Sequence, residues 1–178
     1  MIVIRPLLWP DDRESVLLLD TSFITDRIYR VAPRDQTFAL EEQPVAPPLQ
    51  KSYPLADRIE GLATSFWVQV AGNGTDVVGL VAMRIEDWNR RGRLHDLYVA
   101  PSARGRGVGR ALVDAALAEA RRRHARCLWA ETQTINYGAI QFYLRVGFDW
   151  CGLDTSLYDP EDVGADEIAV FFSHTVEQ

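Results

Sequence analysis

At 178 residues the chain has room for one domain with its own core, and 47% hydrophobic with 25% charged residues excludes a disordered or fibrous protein. No apolar run approaches the roughly 18 residues of a membrane span and the opening residues lack a secretory pattern, so the expectation is a cytoplasmic protein without a membrane partner. A net charge of −6 argues against nucleic acid as the partner, because phosphate backbones require a broad basic face.

Ile2-Val3-Ile4 reads as a first strand, and Pro10-Asp11-Asp12 opens a helix that the pattern carries to about Asp20. Residues 21–60 read as an irregular, proline-rich segment. Thr37 to Gln43 suits a short strand, and Pro44, Pro47, Pro48 and Pro54 argue against regular structure around them. Ser65 to Ala71 and Asp76 to Asp87 are extended runs joined by the hairpin signal Gly72-Asn73-Gly74-Thr75, and Leu94 to Val99 adds a third run after a turn at Asn89 to Gly92. The period then changes: Val108, Leu112, Val113, Ala116, Leu117 and Ala120 recur at helical spacing. Cys127 to Thr132 is strand-like, Asn136 can cap a helix that Gly147 would end, and Phe148 to Leu153 and Ile168 to Phe172 are closing strands around an acidic loop. The order indicates an α+β or mixed α/β sheet without internal repeats. Cys127 and Cys151 lie in apolar strand contexts and read as buried free thiols; no metal site is expected.

Charge is unevenly distributed. Residues 90–126 hold ten arginines against Asp96, Asp114 and Glu119, so the rest of the chain is markedly acidic. Arg121 to Arg123 fall where a helix ends and cations are favoured in any case. Within the basic region, Pro101-Ser102-Ala103-Arg104-Gly105-Arg106-Gly107-Val108-Gly109-Arg110 carries the chain from a strand end into a helix start. Unpaired N–H groups and partial positive charge at such a start suit a pyrophosphate, and the glycines let it approach. The segment matches neither the P-loop nor the dinucleotide fingerprint. A plain flexible connection is the other reading.

Leu97-Tyr98-Val99-Ala100-Pro101 followed by Arg104-Gly105-Arg106-Gly107-Val108-Gly109 resembles the acetyl-CoA-binding signature of the GNAT superfamily of N-acetyltransferases. Asn136, Ala139, Phe142-Tyr143 and Gly147-Phe148 are similar to that superfamily's downstream motif. The resemblance implies a single acetyltransferase domain over 1–178 with a mixed, largely antiparallel central sheet flanked by helices, and acetyl-CoA as donor. Glu131-Thr132-Gln133, Gly152-Leu153-Asp154 and Leu157-Tyr158 are similar to the streptothricin acetyltransferase branch, which implies an amine acceptor on a lysine-like cation of an antibiotic.

Carried onto this sequence, the resemblance places backbone amides of Arg106, Gly107, Val108, Gly109 and Arg110 around the pyrophosphate, with Arg104 and Gly105 at the loop's entrance. Leu97, Tyr98 and Val99 would pair with the pantetheine arm as an exposed strand edge, one of their N–H groups facing the thioester oxygen. Asn136 would lie near the cofactor, or serve only as a helix cap. Tyr143 would give a proton to the departing thiolate, or pack on its helical stripe. An amine acceptor must lose a proton to attack, at a cost of roughly 4.6 kcal/mol at pH 7. Glu131, Asp96 and His95 are the candidate bases, each equally readable as a structural residue, and a water chain is the alternative. Residues 21–60 would wall the acceptor site. Three functions follow in order: an N-acetyltransferase for a small cationic amine, one for a protein N-terminus or lysine, and a non-enzymatic nucleic-acid binder. A homodimer is compatible with the tryptophans and phenylalanines, none of which the sequence places on the surface.

Overall fold

The computed structural model describes residues 2–74, 76–164 and 167–177. Among them the chain runs β1 (Val3–Pro6), α1 (Arg13–Leu17), β2 (Phe23–Arg34), β3 (Thr37–Lys51), α2 (Ile59–Ser65), β4 (Trp67–Asn73), β5 (Asp76–Glu86), β6 (Arg91–Val99), α3 (Val108–Arg122), β7 (Cys127–Gln133), α4 (Tyr137–Arg145), β8 (Asp149–Asp154) and β9 (Ala169–Thr175). A short 3-10 turn, Pro101–Ala103, leads from β6 towards α3. Two compact units form: Met1–Ser22 with Ser52–Trp129 and Thr175–Gln178, and Phe23–Lys51 with Ala130–His174.

In the first unit β1, β4, β5 and β6 form an antiparallel meander in that order, with Arg5 opposite Val70, Val70 opposite Leu80 and Leu80 opposite Tyr98. β5 is buried on both faces and reads accordingly as a nearly continuous apolar run. Val68, Val70, Leu80 and Ala82 share one face with Val16, Leu55, Ile59 and Leu62 from the α1 and α2 regions. On the opposite face a Cβ at Gly79 would meet Leu112 at 3.1 Å and Val108 at 3.3 Å, so β5 carries a glycine where α3 lies close. Each fully buried Leu, Ile or Val contributes about 1.5–3 kcal/mol, so this two-sided strand anchors the unit. The predicted hairpin is present, with Asn73 paired to Asp76 and Gly74 at φ 79°; Thr75 lies outside the described residues.

The second unit contains the strand order β7-β9-β8, helix α4 and the β2–β3 ribbon. Phe148, Phe172 and Ile140 are fully buried within it. Of the stripe expected on α4, Tyr143 and Val146 are buried while Ala139 and Phe142 are half-buried, Ile140 being the residue buried beside them; Gly147, at φ 97°, stands just past the helix end.

Several expectations require correction. Residues 21–60 are not irregular: they form the long antiparallel ribbon β2–β3 followed by α2. Arg34 pairs with Thr37 across a tight turn at Asp35, and pairing continues to Arg27 opposite Pro44. Between Thr25 and Arg27 the register jumps from Leu49 to Pro44, so Pro47 and Pro48 fall in the break and displace no ladder hydrogen bond. Leu55, Ile59 and Leu62, spaced four and three apart, mark the overlooked α2. Helix α1 ends at Leu17 rather than near Asp20, and the Asp12 carboxylate binds Arg5 and the Leu8 N–H instead of capping it. Cys127 is buried as expected, but Cys151 is exposed.

Candidate functional site

The predicted site residues divide between the two units: Asp96 to Arg110 belong to the first, and Glu131, Asn136 and Tyr143 to the second. In the first, β6 ends at Val99 and the 3-10 turn closes on the Ala103 N–H to Ala100 carbonyl bond of 2.8 Å. Gly105 at φ 74° and Gly107 at φ 81° then adopt a conformation that L side chains reach only at a cost of about 1–2 kcal/mol. A Cβ at either position would meet nothing within 4 Å, so the requirement for glycine there is conformational and the loop is open beside both residues. Gly107 is the N-cap of α3, with no side-chain cap and no acidic residue in the first turn. The first N–H groups of a helix have no intrahelical partner, and here an arginine, Arg110, stands among them. A helix start of this kind, with Val108 and Gly109 in its first turn, is able to hold an anion on backbone N–H groups.

Several of the arginines in this surplus hold the structure together. Arg104 donates from Nε to the Val99 carbonyl at 2.9 Å and from Nη2 to the Ser22 carbonyl, so it braces the loop. Burial lowers its pKa, partly offset by Asp20. Arg91 and Arg93 lie over the Trp129 ring at 4.8 and 5.3 Å and pair with Glu86. Arg122 and Arg123 pair with Glu119. Arg106 and Arg110 are exposed at the α3 start.

β6 is not an outer strand along its whole length. β5 lies on one side and, at the Arg90 end, the start of β7 lies on the other, with the Arg126 N–H donating to the Arg90 carbonyl at 2.8 Å. The edge expected at Leu97 to Val99 lies towards the opposite end of the strand from this bond. Near its middle, Ala82 faces Asp96 while Met83 faces Leu94, leaving His95 as an extra residue in a bulge. Asp96 is 5% exposed, and Arg58 Nη2 approaches its Oδ1 to 2.6 Å but off the hydrogen-bonding direction, so that oxygen has no aligned donor. Burial raises the Asp96 pKa and Arg58 opposes that rise. Arg58 also donates to the Tyr98 hydroxyl at 2.6 Å, and burial with the Asp96 charge pushes that phenol up to about 12. His95 packs edge-on to Phe66 at 4.4 Å; burial and the Arg93 charge lower its pKa, which favours the neutral ring.

In the second unit, the Tyr158 hydroxyl donates to Glu131 Oε1. Asn136 caps α4, its Oδ1 accepting from the Ala139 N–H at 3.1 Å. Tyr143 is 6% exposed, its ring stacked on Phe172 at 5.3 Å and tilted against Phe148 at 5.2 Å. Sequence reasoning missed Arg58, which the spacing of Leu55, Ile59 and Leu62 would have placed on a helix. It also missed a polar aromatic cluster on the ribbon. Tyr29 donates to Glu42 at 3.1 Å, accepts from Gln141 at 2.9 Å and stacks on Tyr137 at 5.6 Å. Burial and Glu42 push its hydroxyl up to about 12.

The model of the acetyltransferase (GNAT) family matches residues 26–148. The chain is 40% identical to a streptothricin acetyltransferase of Streptomyces lavendulae over 157 residues, 84% of this chain and 82% of that protein. It is similar in structure to a nourseothricin acetyltransferase, with a TM-score of 0.87, 40% identity and 99% of both chains covered. A Bacillus anthracis protein solved with acetyl coenzyme A shares the fold at a TM-score of 0.82 and 23% identity, over 99% of both chains. The fold is thus a mixed α/β one, with a mostly antiparallel central sheet flanked by helices. The uncapped α3 start, the bulged β6 and the capped α4 sit in a chain that belongs to the acetyltransferase (GNAT) family.

Proposed function

We propose that this acetyltransferase transfers the acetyl group of acetyl-CoA to a primary amine of a small, lysine-like cation, by direct attack while donor and acceptor are both bound. The observation that carries the reading is the uncapped start of α3 behind Gly105 and Gly107, with Arg106 and Arg110 exposed beside it. Its N–H groups would hold the pyrophosphate, and the Leu97–Val99 end of β6 would receive the pantetheine arm, with one N–H turned to the thioester oxygen. A donor so placed is worth roughly 3 kcal/mol in the transition state.

In this reading the amine gives up a proton, its nitrogen bonds to the acetyl carbon, the carbon–sulfur bond breaks and the thiolate takes a proton. Asp96, buried and carrying an oxygen without an aligned donor, is the group assigned to the first proton, with Glu131 and its Tyr158 partner holding the cation. Tyr143 is assigned to the second. With reference pKa values near 10 for tyrosine and 8.5 for a thiol, that transfer is uphill by about 2 kcal/mol, small beside a typical catalytic barrier. Streptothricin acetyltransferases among the relatives support an amine-bearing antibiotic as acceptor, in which case the activity would confer resistance.

The test is a thiol-release assay with acetyl-CoA across streptothricin, lysine-like amines, polyamines, aminoglycosides and peptides. Turnover with small cations is expected. Turnover with peptides alone would overturn the acceptor class, and a melting temperature unmoved by acetyl-CoA would overturn the donor.

A further inference from the structure

We propose that Arg58 is a positioning residue of the acetyl transfer: its guanidinium, 2.6 Å from the buried Asp96 carboxylate, keeps that side chain ionised. The proposal rests on Asp96 serving as the base.

The Asp96 side chain is 3% exposed. A carboxylate taken that far from water either binds a proton or acquires a cation close by. Helix α2 supplies the cation. Ile59 and Leu62 are 0% and 4% exposed, so the backbone at Arg58, the N-cap of α2, is anchored while its side chain remains 42% exposed at the solvent edge. One nitrogen serves two oxygens: Nη2 donates to the Tyr98 hydroxyl at 2.6 Å and stands 2.6 Å from Asp96 Oδ1. That nitrogen therefore brings a positive charge against a carboxylate that lies out of solvent. A proton-accepting carboxylate has to be charged. The bulge at His95 breaks the alternation of β6 immediately before Asp96.

The charged and titratable groups facing Asp96 are Arg58 from α2 and His95 and Tyr98 from β6, while Arg84 of β5 and Arg93 of β6 add positive charge around His95. Burial raises the carboxyl's pKa while Arg58, His95 and the Tyr98 hydroxyl lower it, and a variant lacking the guanidinium removes the first of these opposing groups. In the step itself the ammonium N–H bond breaks, the proton passes to Oδ1, the electron pair stays on nitrogen, and the proton later leaves to water.

The experiment compares wild type, Arg58→Gln, Arg58→Lys, Tyr98→Phe and Asp96→Asn by the pH profile of kcat/KM, using the best small amine from the acceptor panel. An infrared search for a protonated-carboxyl band at pH 7 accompanies it, the band being assigned by its loss when Asp96→Asn is added. Arg58→Gln should move the acid limb up by about one unit, a tenfold loss on that limb, and show the band. Arg58→Lys should restore most of both. Tyr98→Phe, which keeps the ring, removes a hydroxyl that itself lowers the Asp96 pKa and anchors the guanidinium, and should also move the limb up; it covers the case in which Arg58→Gln does not fold. An unmoved limb without the band in Arg58→Gln, or an unmoved limb in Tyr98→Phe, overturns the proposal. Full activity in Asp96→Asn instead overturns Asp96 as base, and the infrared band still reports whether Arg58 sets its charge.

Discussion

Arg104 turns back on the strand that precedes it, donating from Nε to the carbonyl of Val99 at 2.9 Å. It also reaches the carbonyl of Ser22, so Nε and Nη2 of this side chain both donate to backbone. Arg104→Ala should therefore weaken acetyl-CoA binding indirectly, by loosening the loop. Two lost hydrogen bonds from a charged donor amount to about 3 kcal/mol of local stability. Arg106→Gln removes charge alone, and its effect should fade with added salt. Calorimetric titration at two salt concentrations separates the two; equal salt sensitivity for both would show that Arg104 binds the anion itself.

Gly107→Ala puts an L side chain at φ 81°, with no atom within 4 Å of the new methyl group. The expected penalty is backbone strain of about 1–2 kcal/mol, or relaxation of the loop away from its anion-binding conformation. Thermal melting should fall by a few degrees and the acetyl-CoA dissociation constant should rise about tenfold. A melt and an affinity both equal to wild type would contradict the conformational requirement.

Asn136→Ala removes the cap on the Ala139 N–H and should cost about 1 kcal/mol, while Asn136→Ser retains most of the stability. Urea midpoints for the three proteins decide this. If acetyl-CoA affinity falls for both variants while stability falls only for Asn136→Ala, the side chain also serves the donor.

Tyr143→Phe retains the ring that stacks on Phe172 and tilts against Phe148. Stability and acetyl-CoA affinity should hardly change, and kcat should drop at least tenfold if the hydroxyl protonates the leaving thiolate. A single-turnover rate equal to wild type would leave Tyr143 as a core residue.

Asp12 carries a pH-dependent share of stability. Hydrogen bonds from Arg5, at 2.6 and 2.7 Å, lower its pKa, so its contribution is present above the ordinary carboxylate value of 3.8 and is lost as pH falls through the lower folded-state value. Asp12→Asn should be destabilised at pH 7 by about 2–3 kcal/mol, with the gap to wild type closing towards pH 3. Denaturant midpoints across that range test the sign. A gap that stays constant would assign the effect to packing.

The helix over residues 108–122, the meander before it and the Asn136 cap follow from local chemistry: apolar spacing, turn glycines and a side chain that reaches an N–H three residues on. Those interactions close within a few residues, so their partners are visible in the chain order. The ribbon through Pro44 was not, because a proline's tolerance depends on which ladder positions its partner strand leaves empty.

Sequence alone determined the family, the glycine-bearing start of α3 and the titratable residue types of the candidate site. Tertiary structure decided their employment: Arg104 spent on carbonyls five and 82 positions away, and Asp96 buried beneath an arginine 38 positions earlier. The physical reason is that charge state and hydrogen-bond availability are set by burial and by partners distant in sequence, and neither appears until strand and helix have packed.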